Sequence, residues 1–167
     1  MISPLFCEFV AQWFLVLFFV VELTAKVVVN HEHQLNIVED HEVYDEISEN
    51  QRGTALSVAS LVFAGITLVL ADDPSQFIQQ IEVLVASFGF LLIAAFAHEL
   101  TSTYRVVLTV QEMALEYGLL MLGFGLYLLI RALVSGAELV GFIVFTLIMI
   151  LRYVSVYGEI KAHYNES

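Results

Sequence analysis

Five long apolar runs are the feature that most constrains the fold of this chain. A helix that crosses a bilayer needs about 20 predominantly apolar residues, and a sequence that supplies several such runs indicates a membrane protein. The runs occupy residues 9–29, 54–71, 76–99, 113–133 and 138–157. The sequence therefore predicts an all-α integral membrane protein, in which residues 1–167 form one domain with a bundle of about five transmembrane helices.

Composition supports this interpretation and excludes an ordinary soluble domain. Hydrophobic residues make up 59% of the 167 residues and charged residues 14%, whereas soluble domains contain about 25% charged residues. No long Gly/Pro/Ser-rich linker divides the chain, so we expect a single bundle. The one cysteine, Cys7, excludes an intramolecular disulfide.

The charge balance excludes two classes of partner. The formal net charge is −12, from 18 acidic and 6 basic residues. Nucleic acids and anionic lipids bind clustered Lys and Arg, so the charge balance argues against both as partners. The apolar runs instead predict the lipid bilayer as a partner, together with a second copy of the chain or a membrane partner subunit. An acidic, lysine-poor composition is also typical of proteins that work in a salt-rich cytoplasm. A halophilic source would therefore explain the negative charge as an adaptation to salt rather than as part of a functional site.

Helix starts are indicated before three of the runs. Each is preceded by a residue that can cap free N–H groups, followed three positions later by Glu or Gln. The pairs are Ser48 with Gln51, Asp73 with Gln76, and Ser135 with Glu138. The short turns predict that spans two and three, and spans four and five, are antiparallel neighbours.

Basic residues in the loops predict the orientation, because Lys and Arg concentrate on the cytoplasmic side. An outside N-terminus places on that side Lys26, Arg52, Arg105, Arg152 and Lys161. Only Arg131 falls on the other side. We therefore predict a multi-pass protein of the plasma membrane with a cytoplasmic C-terminus.

This orientation makes residues 30–51 an acidic cytoplasmic connector. The segment contains seven acidic residues and three histidines, His31, His33 and His41. Histidine and carboxylate ligands suit divalent transition metals, but the spacing matches no zinc or calcium motif. A solvated, partly helical connector is the favoured interpretation, with these histidines as weak metal candidates.

Ionisable residues near the span ends form a second candidate site. Burying such a group costs several kcal/mol unless it is paired or hydrated. The sequence predicts a membrane-edge ionisable cluster of Glu22, Lys26, His98, Glu99, Glu112, Glu116 and Arg152. Ion pairing at the bilayer edge explains the cluster more simply, and a cation or proton site is the alternative.

The second span has one narrow face without bulky side chains, which we call the small-residue face. It consists of Gly53, Ser57, Ser60, Ala64, Thr67 and Ala71. Such faces commonly allow two helix backbones to approach closely, with Ser and Thr bonding across the interface. A pore lining is the alternative.

No enzyme or cofactor motif is evident, since GxSxG, HExxH, phosphate-loop and CxxC patterns do not occur. We therefore expect neither catalysis nor a cofactor. A bundle this short does not easily enclose a large substrate, so we expect a homo-oligomer or a partner subunit. The leading hypothesis is an oligomeric channel or transporter for an inorganic cation or proton. The alternative is a non-transporting accessory or scaffold subunit whose acidic connector docks a partner.

Overall fold

The computed structural model describes residues 4–29, 41–71, 74–101, 105–134 and 138–166, to which the structural statements below refer. The elements are α1 (Pro4–Val29), α2 (His41–Ala71), α3 (Ile78–Thr101), α4 (Arg105–Leu133) and α5 (Glu138–Glu166), with a 3-10 turn at Pro74–Gln76. The described part of the chain contains no strand. The predicted all-α fold is confirmed.

Three helical segments are long and apolar enough to cross a membrane. They are Glu42–Ala71, Ile78–Glu99 and Arg105–Leu133. Within α5 the apolar stretch Leu139–Val154 is shorter. Length and composition thus support a membrane protein, whereas spanning by the runs at 9–29 and 138–157 stays a prediction.

The start of α2 differs from the sequence prediction. We expected Ser48 to cap a helix that follows it, but α2 begins at His41 and passes through Ser48 without interruption. Glu42 lies in the first turn, where a carboxylate interacts favourably with the helix dipole. The Ser48 hydroxyl bonds to side chains of α3 and α4. The second half of the connector is therefore part of the same helix as the second span.

The chain divides into two compact units, residues Met1–Leu122 and Gly123–Ser167. In the first unit α2 packs against α3, and small buried side chains such as Ala55, Ala59 and Ala94 line the core. The α3 and α4 backbones also approach closely. The buried Ser87 hydroxyl on α3 donates a 2.7 Å hydrogen bond to the main-chain carbonyl of Gly118 on α4. Small residues permit this close approach of helices.

Helix α1 joins the first unit through aromatic side chains. The ring of Phe19 lies 4.8 Å from that of Phe90 on α3 and 5.4 Å from that of Tyr117 on α4, both edge to face. Leu15, one turn earlier on α1, is fully buried. Edge-to-face pairs stabilise packing beyond the apolar area they bury.

The second unit contains the C-terminal part of α4 and the whole of α5. Phe124 stacks on Tyr127 with ring centroids 6.2 Å apart and meets Phe145 of α5 at 5.4 Å. Gly141 faces the same tyrosine, since a Cβ atom there would lie 2.7 Å from Cδ2 of Tyr127. The absence of a side chain at Gly141 therefore lets the aromatic ring lie against α5.

Candidate functional site

A buried polar cluster joins α2, α3 and α4. Ser48 and Gln111 are fully buried, and the Ser48 hydroxyl donates a 2.6 Å hydrogen bond to Oε1 of Gln111. The amide Nε2 of Gln111 donates in return to the main-chain carbonyl of Ser48 at 2.9 Å. Nδ1 of the half-buried His98 lies 2.8 Å from the same hydroxyl. We call these three residues the polar triad.

The polar triad lies near one end of the first unit. Ser48 is about two turns from the start of α2, Gln111 about two turns from the start of α4, and His98 about one turn from the end of α3. The hydroxyl, amide and imidazole groups of the triad serve as hydrogen-bond partners for one another, as the burial of polar groups requires. Its members combine one titratable ring with two neutral groups.

A second polar group connects α1 to α4. The Tyr117 hydroxyl donates a 2.7 Å hydrogen bond to Oε2 of Glu22, and Nζ of Lys26 lies 3.6 Å from Oε1 of the same carboxyl group. Glu22 and Lys26, four residues apart on α1, thus form an ion pair. About 9 Å of helix rise separates Gln111 from Tyr117 along α4, so the two polar groups are distinct.

The residues of the predicted membrane-edge ionisable cluster lie in different parts of the structure. Glu22 and Lys26 belong to the second polar group, and His98 belongs to the polar triad. Glu99 and Glu112 are exposed, Glu116 is half-buried, and Arg152 belongs to the second unit. A shared role for the whole set in binding a cation or proton stays a prediction.

The small-residue face of α2 is exposed along its whole length, from Gly53 to Ala71. At about 100° per residue, the buried residues Ala55, Ala59, Val62 and Ile66 lie on the opposite side of the helix. Along the exposed face, the hydroxyl groups of Ser57, Ser60 and Thr67 each donate to a carbonyl of α2 itself. The face therefore presents small side chains whose hydrogen-bond donors are already satisfied.

The metal candidates are only partly covered by the structure. His31 and His33 lie outside the described residues, and so does the side chain of His41, the first residue of α2. Within the described residues, no group of three His, Cys, Asp or Glu side chains could hold a metal ion. The metal hypothesis for these histidines stays a prediction.

Arg105 marks the same end of the first unit as the polar triad. It is the first residue of α4, and its guanidinium carbon lies 5.9 Å from the centroid of the Tyr44 ring on α2. This distance is within the range of a cation–π interaction. Arg105 therefore links the starts of α2 and α4.

An apolar groove lies within the second unit, between the end of α4 and α5. Its volume is about 390 Å³. The lining residues are Gly123, Leu126, Tyr127, Ile130, Val140, Gly141, Val144, Phe145 and Ile148. The lining carries one hydroxyl, that of Tyr127, and otherwise offers only apolar contacts.

Sequence reasoning missed the roles of Ser48, Gln111 and Tyr117. One signal was present for Gln111, because it shares a helical stripe with the buried Ala114, Gly118 and Met121. A glutamine on an otherwise apolar and small stripe predicts a buried hydrogen-bond partner. The partner itself, on α2, has no signal in the sequence around Gln111.

Comparisons with known proteins identify no relative. No protein-family model, no curated protein and no solved structure matches the chain.

Proposed function

We propose that the protein is an oligomeric membrane channel or transporter for an inorganic cation or proton, with no catalytic role. The observation that carries the proposal is the exposure of the complete small-residue face of α2 on the side opposite to its packing contacts. Only 22% of the apolar window of α2 is buried, compared with 39% for α3 and 44% for α4. In this proposal α2 faces the axis of a homo-oligomer.

The chemistry of the face is compatible with either close helix contact or contact with water. Gly, Ala and Ser allow helix backbones to approach around an axis, and hydroxyl groups bonded to their own helix retain oxygen lone pairs that can interact with a cation or water. Exposed Leu61 and Leu68, 72% and 74% accessible, lie beside the face. Bulky side chains there suit contact with lipid or with a neighbouring subunit.

Charge supplies the second argument for a cation. The net charge is −12, and exposed carboxyl groups occur at the start of α2, at Glu42, Asp45, Glu46 and Glu49. Rings of carboxylates raise the local concentration of cations at a channel entrance. The proposed orientation, with the N-terminus outside, places them at the cytoplasmic entrance in the plasma membrane.

Flux through proteoliposomes that contain only this protein tests the proposal. We expect cation or proton flux from the purified chain alone, and Ser60→Leu should reduce it strongly while the oligomer persists. Thr54→Leu is the matched control, because Thr54 is exposed on the same helix but about 100° away from the small-residue face. Absence of flux across a range of cations and pH values would contradict the proposal.

The start of α2 favours a second candidate, an accessory or scaffold subunit. Its four exposed carboxyl groups lie on the helical half of the acidic connector, so a basic surface of a partner could bind them in a defined geometry. Replacing the four by Gln or Asn should then abolish binding of the partner. An obligate hetero-oligomer that is inert in proteoliposomes supports this candidate over a channel.

A further inference from the structure

The orientation of the Gln111 amide follows from its two contacts with Ser48. Nε2 lies 2.9 Å from the main-chain carbonyl oxygen of Ser48, and Oε1 lies 2.6 Å from its hydroxyl oxygen. The reverse orientation would place two carbonyl oxygens together with no proton between them. The amide therefore has one allowed orientation, with Oε1 towards the hydroxyl group.

This orientation determines where the hydroxyl proton of Ser48 points. An amide oxygen carries no proton, so a contact of 2.6 Å with Oγ requires the Ser48 proton to lie between the two oxygens. A serine hydroxyl has a single proton. In the 2.8 Å contact with His98, Oγ must therefore be the acceptor, and Nδ1 of the ring must carry the proton that is donated.

We propose that Ser48 and Gln111 are positioning residues that hold His98 in the Nδ1–H tautomer, so that Nε2 is the nitrogen that binds and releases a proton. In the neutral ring Nε2 carries a lone pair, and a proton that binds there gives an imidazolium ion with an N–H group at each nitrogen. The same proton leaves from Nε2. Nδ1–H donates to Ser48 in both states.

The consequence is that the ring can exchange a proton without breaking the hydrogen bonds that join α2, α3 and α4. Because the two nitrogens project from the ring in divergent directions, Nε2 points away from Ser48. Use of this nitrogen in proton transport rests on the proposed function. The tautomer does not, because it follows from the geometry of the polar triad alone.

Nitrogen NMR of the full-length protein in lipid nanodiscs, labelled with ¹⁵N at histidine, tests the tautomer. The chain has five histidines, and the signals of His98 are those lost in a His98→Asn variant. In the neutral state of the ring, we expect the His98 proton on Nδ1, with Nε2 showing the shift of an unprotonated nitrogen. A proton found on Nε2 would overturn the proposal.

Two variants test whether the neighbours cause this state. Gln111→Met removes the acceptor for the Ser48 proton, which can then be donated to Nδ1, and Ser48→Ala removes the acceptor for Nδ1–H. In each variant we expect the Nε2–H population of neutral His98 to rise several-fold. The matched control is Ser87→Ala, which removes another buried hydroxyl bonded between α3 and α4 and should leave the tautomer unchanged.

The outcomes separate the two proposals. An unchanged Nδ1–H tautomer in both variants would show that the neighbours do not position the ring and would overturn the inference. If one variant fails to fold, the other decides whether the neighbours position the ring, and the wild-type spectrum decides the tautomer in either case. A correct tautomer together with absence of proton flux contradicts the proposed function and leaves the inference in place.

Discussion

Gln111 and Ser48 exchange two hydrogen bonds, one to the hydroxyl at 2.6 Å and one to the main-chain carbonyl at 2.9 Å, with both residues fully buried. Two hydrogen bonds from one side chain to a single residue of another helix define the rotation of that helix about its axis as well as the distance between the two helices. They therefore determine which side of α2 faces the bundle. The small-residue face lies on the other side as a consequence.

The first prediction concerns the coupling between these residues. Ser48→Ala leaves the buried Oε1 of Gln111 without its hydrogen-bond donor and the Nδ1–H of His98 without its acceptor, which costs about 1–3 kcal/mol. Gln111→Met should cost less, because the Ser48 hydroxyl can still bond to His98. The double variant should lose less stability than the sum of the single variants, since both partners are then apolar. Unfolding of the protein in mixed micelles measures the cycle, and additive losses would contradict it.

The second prediction concerns the link between α1 and α4. Tyr117→Phe removes the hydrogen bond to Glu22 but keeps the ring that packs against Phe19 and Phe90. Hydrogen bonds between membrane helices are worth about 0.6 kcal/mol on average and up to about 1.7, so we expect a loss of about 1 kcal/mol. The melting temperature in detergent is the measurement. Tyr157→Phe, at a site that is 67% exposed, should cause no change.

The third prediction concerns the close contact between α3 and α4 at Gly118. A Cβ atom on Gly118 would lie 2.9 Å from Cγ and 3.4 Å from the main-chain nitrogen of Leu91, so Gly118→Ala forces the two helices apart. We expect a loss of about 1–3 kcal/mol, as for other overpacked sites, and partial rescue by Leu91→Ala. Gly89→Ala meets nothing within 4 Å and should be neutral or slightly stabilising. Equal effects of the two alanines would contradict this account.

Hydropathy was sufficient to predict the helices but not all of their ends. The predicted run at 76–99 starts two residues before α3, and both α4 and its predicted run end at residue 133. The start of α4 is Arg105, eight residues before the predicted start at 113, and the apolar span likewise begins at Arg105. Hydrogen bonding within a helix does not depend on side-chain hydropathy.

The polar triad shows what a single sequence leaves open. Ser48 has the local pattern of a helix cap, and only the packing of α3 and α4 onto α2 gives its hydroxyl other partners. The pairing of Ser48 with Gln111 joins residues 63 positions apart, and no periodic pattern encodes such a contact. Local patterns predict elements, whereas the partners of buried polar groups depend on tertiary packing.

The fourth prediction tests whether the small-residue face meets a second copy of the chain or water. Cys7 is the only cysteine, so a Cys7→Ser background allows one cysteine to be placed at Ser60 and, as a control, at Leu61, which is 72% exposed beside the face. If the α2 helices of several copies surround an oligomer axis, Ser60→Cys should form disulfide-linked dimers under oxidation far more rapidly than Leu61→Cys. If the axis also contains water, a charged thiol reagent should modify position 60 and reduce flux. Rapid cross-linking without modification indicates a dry helix interface, and slow reaction at both positions would contradict an axial position for α2.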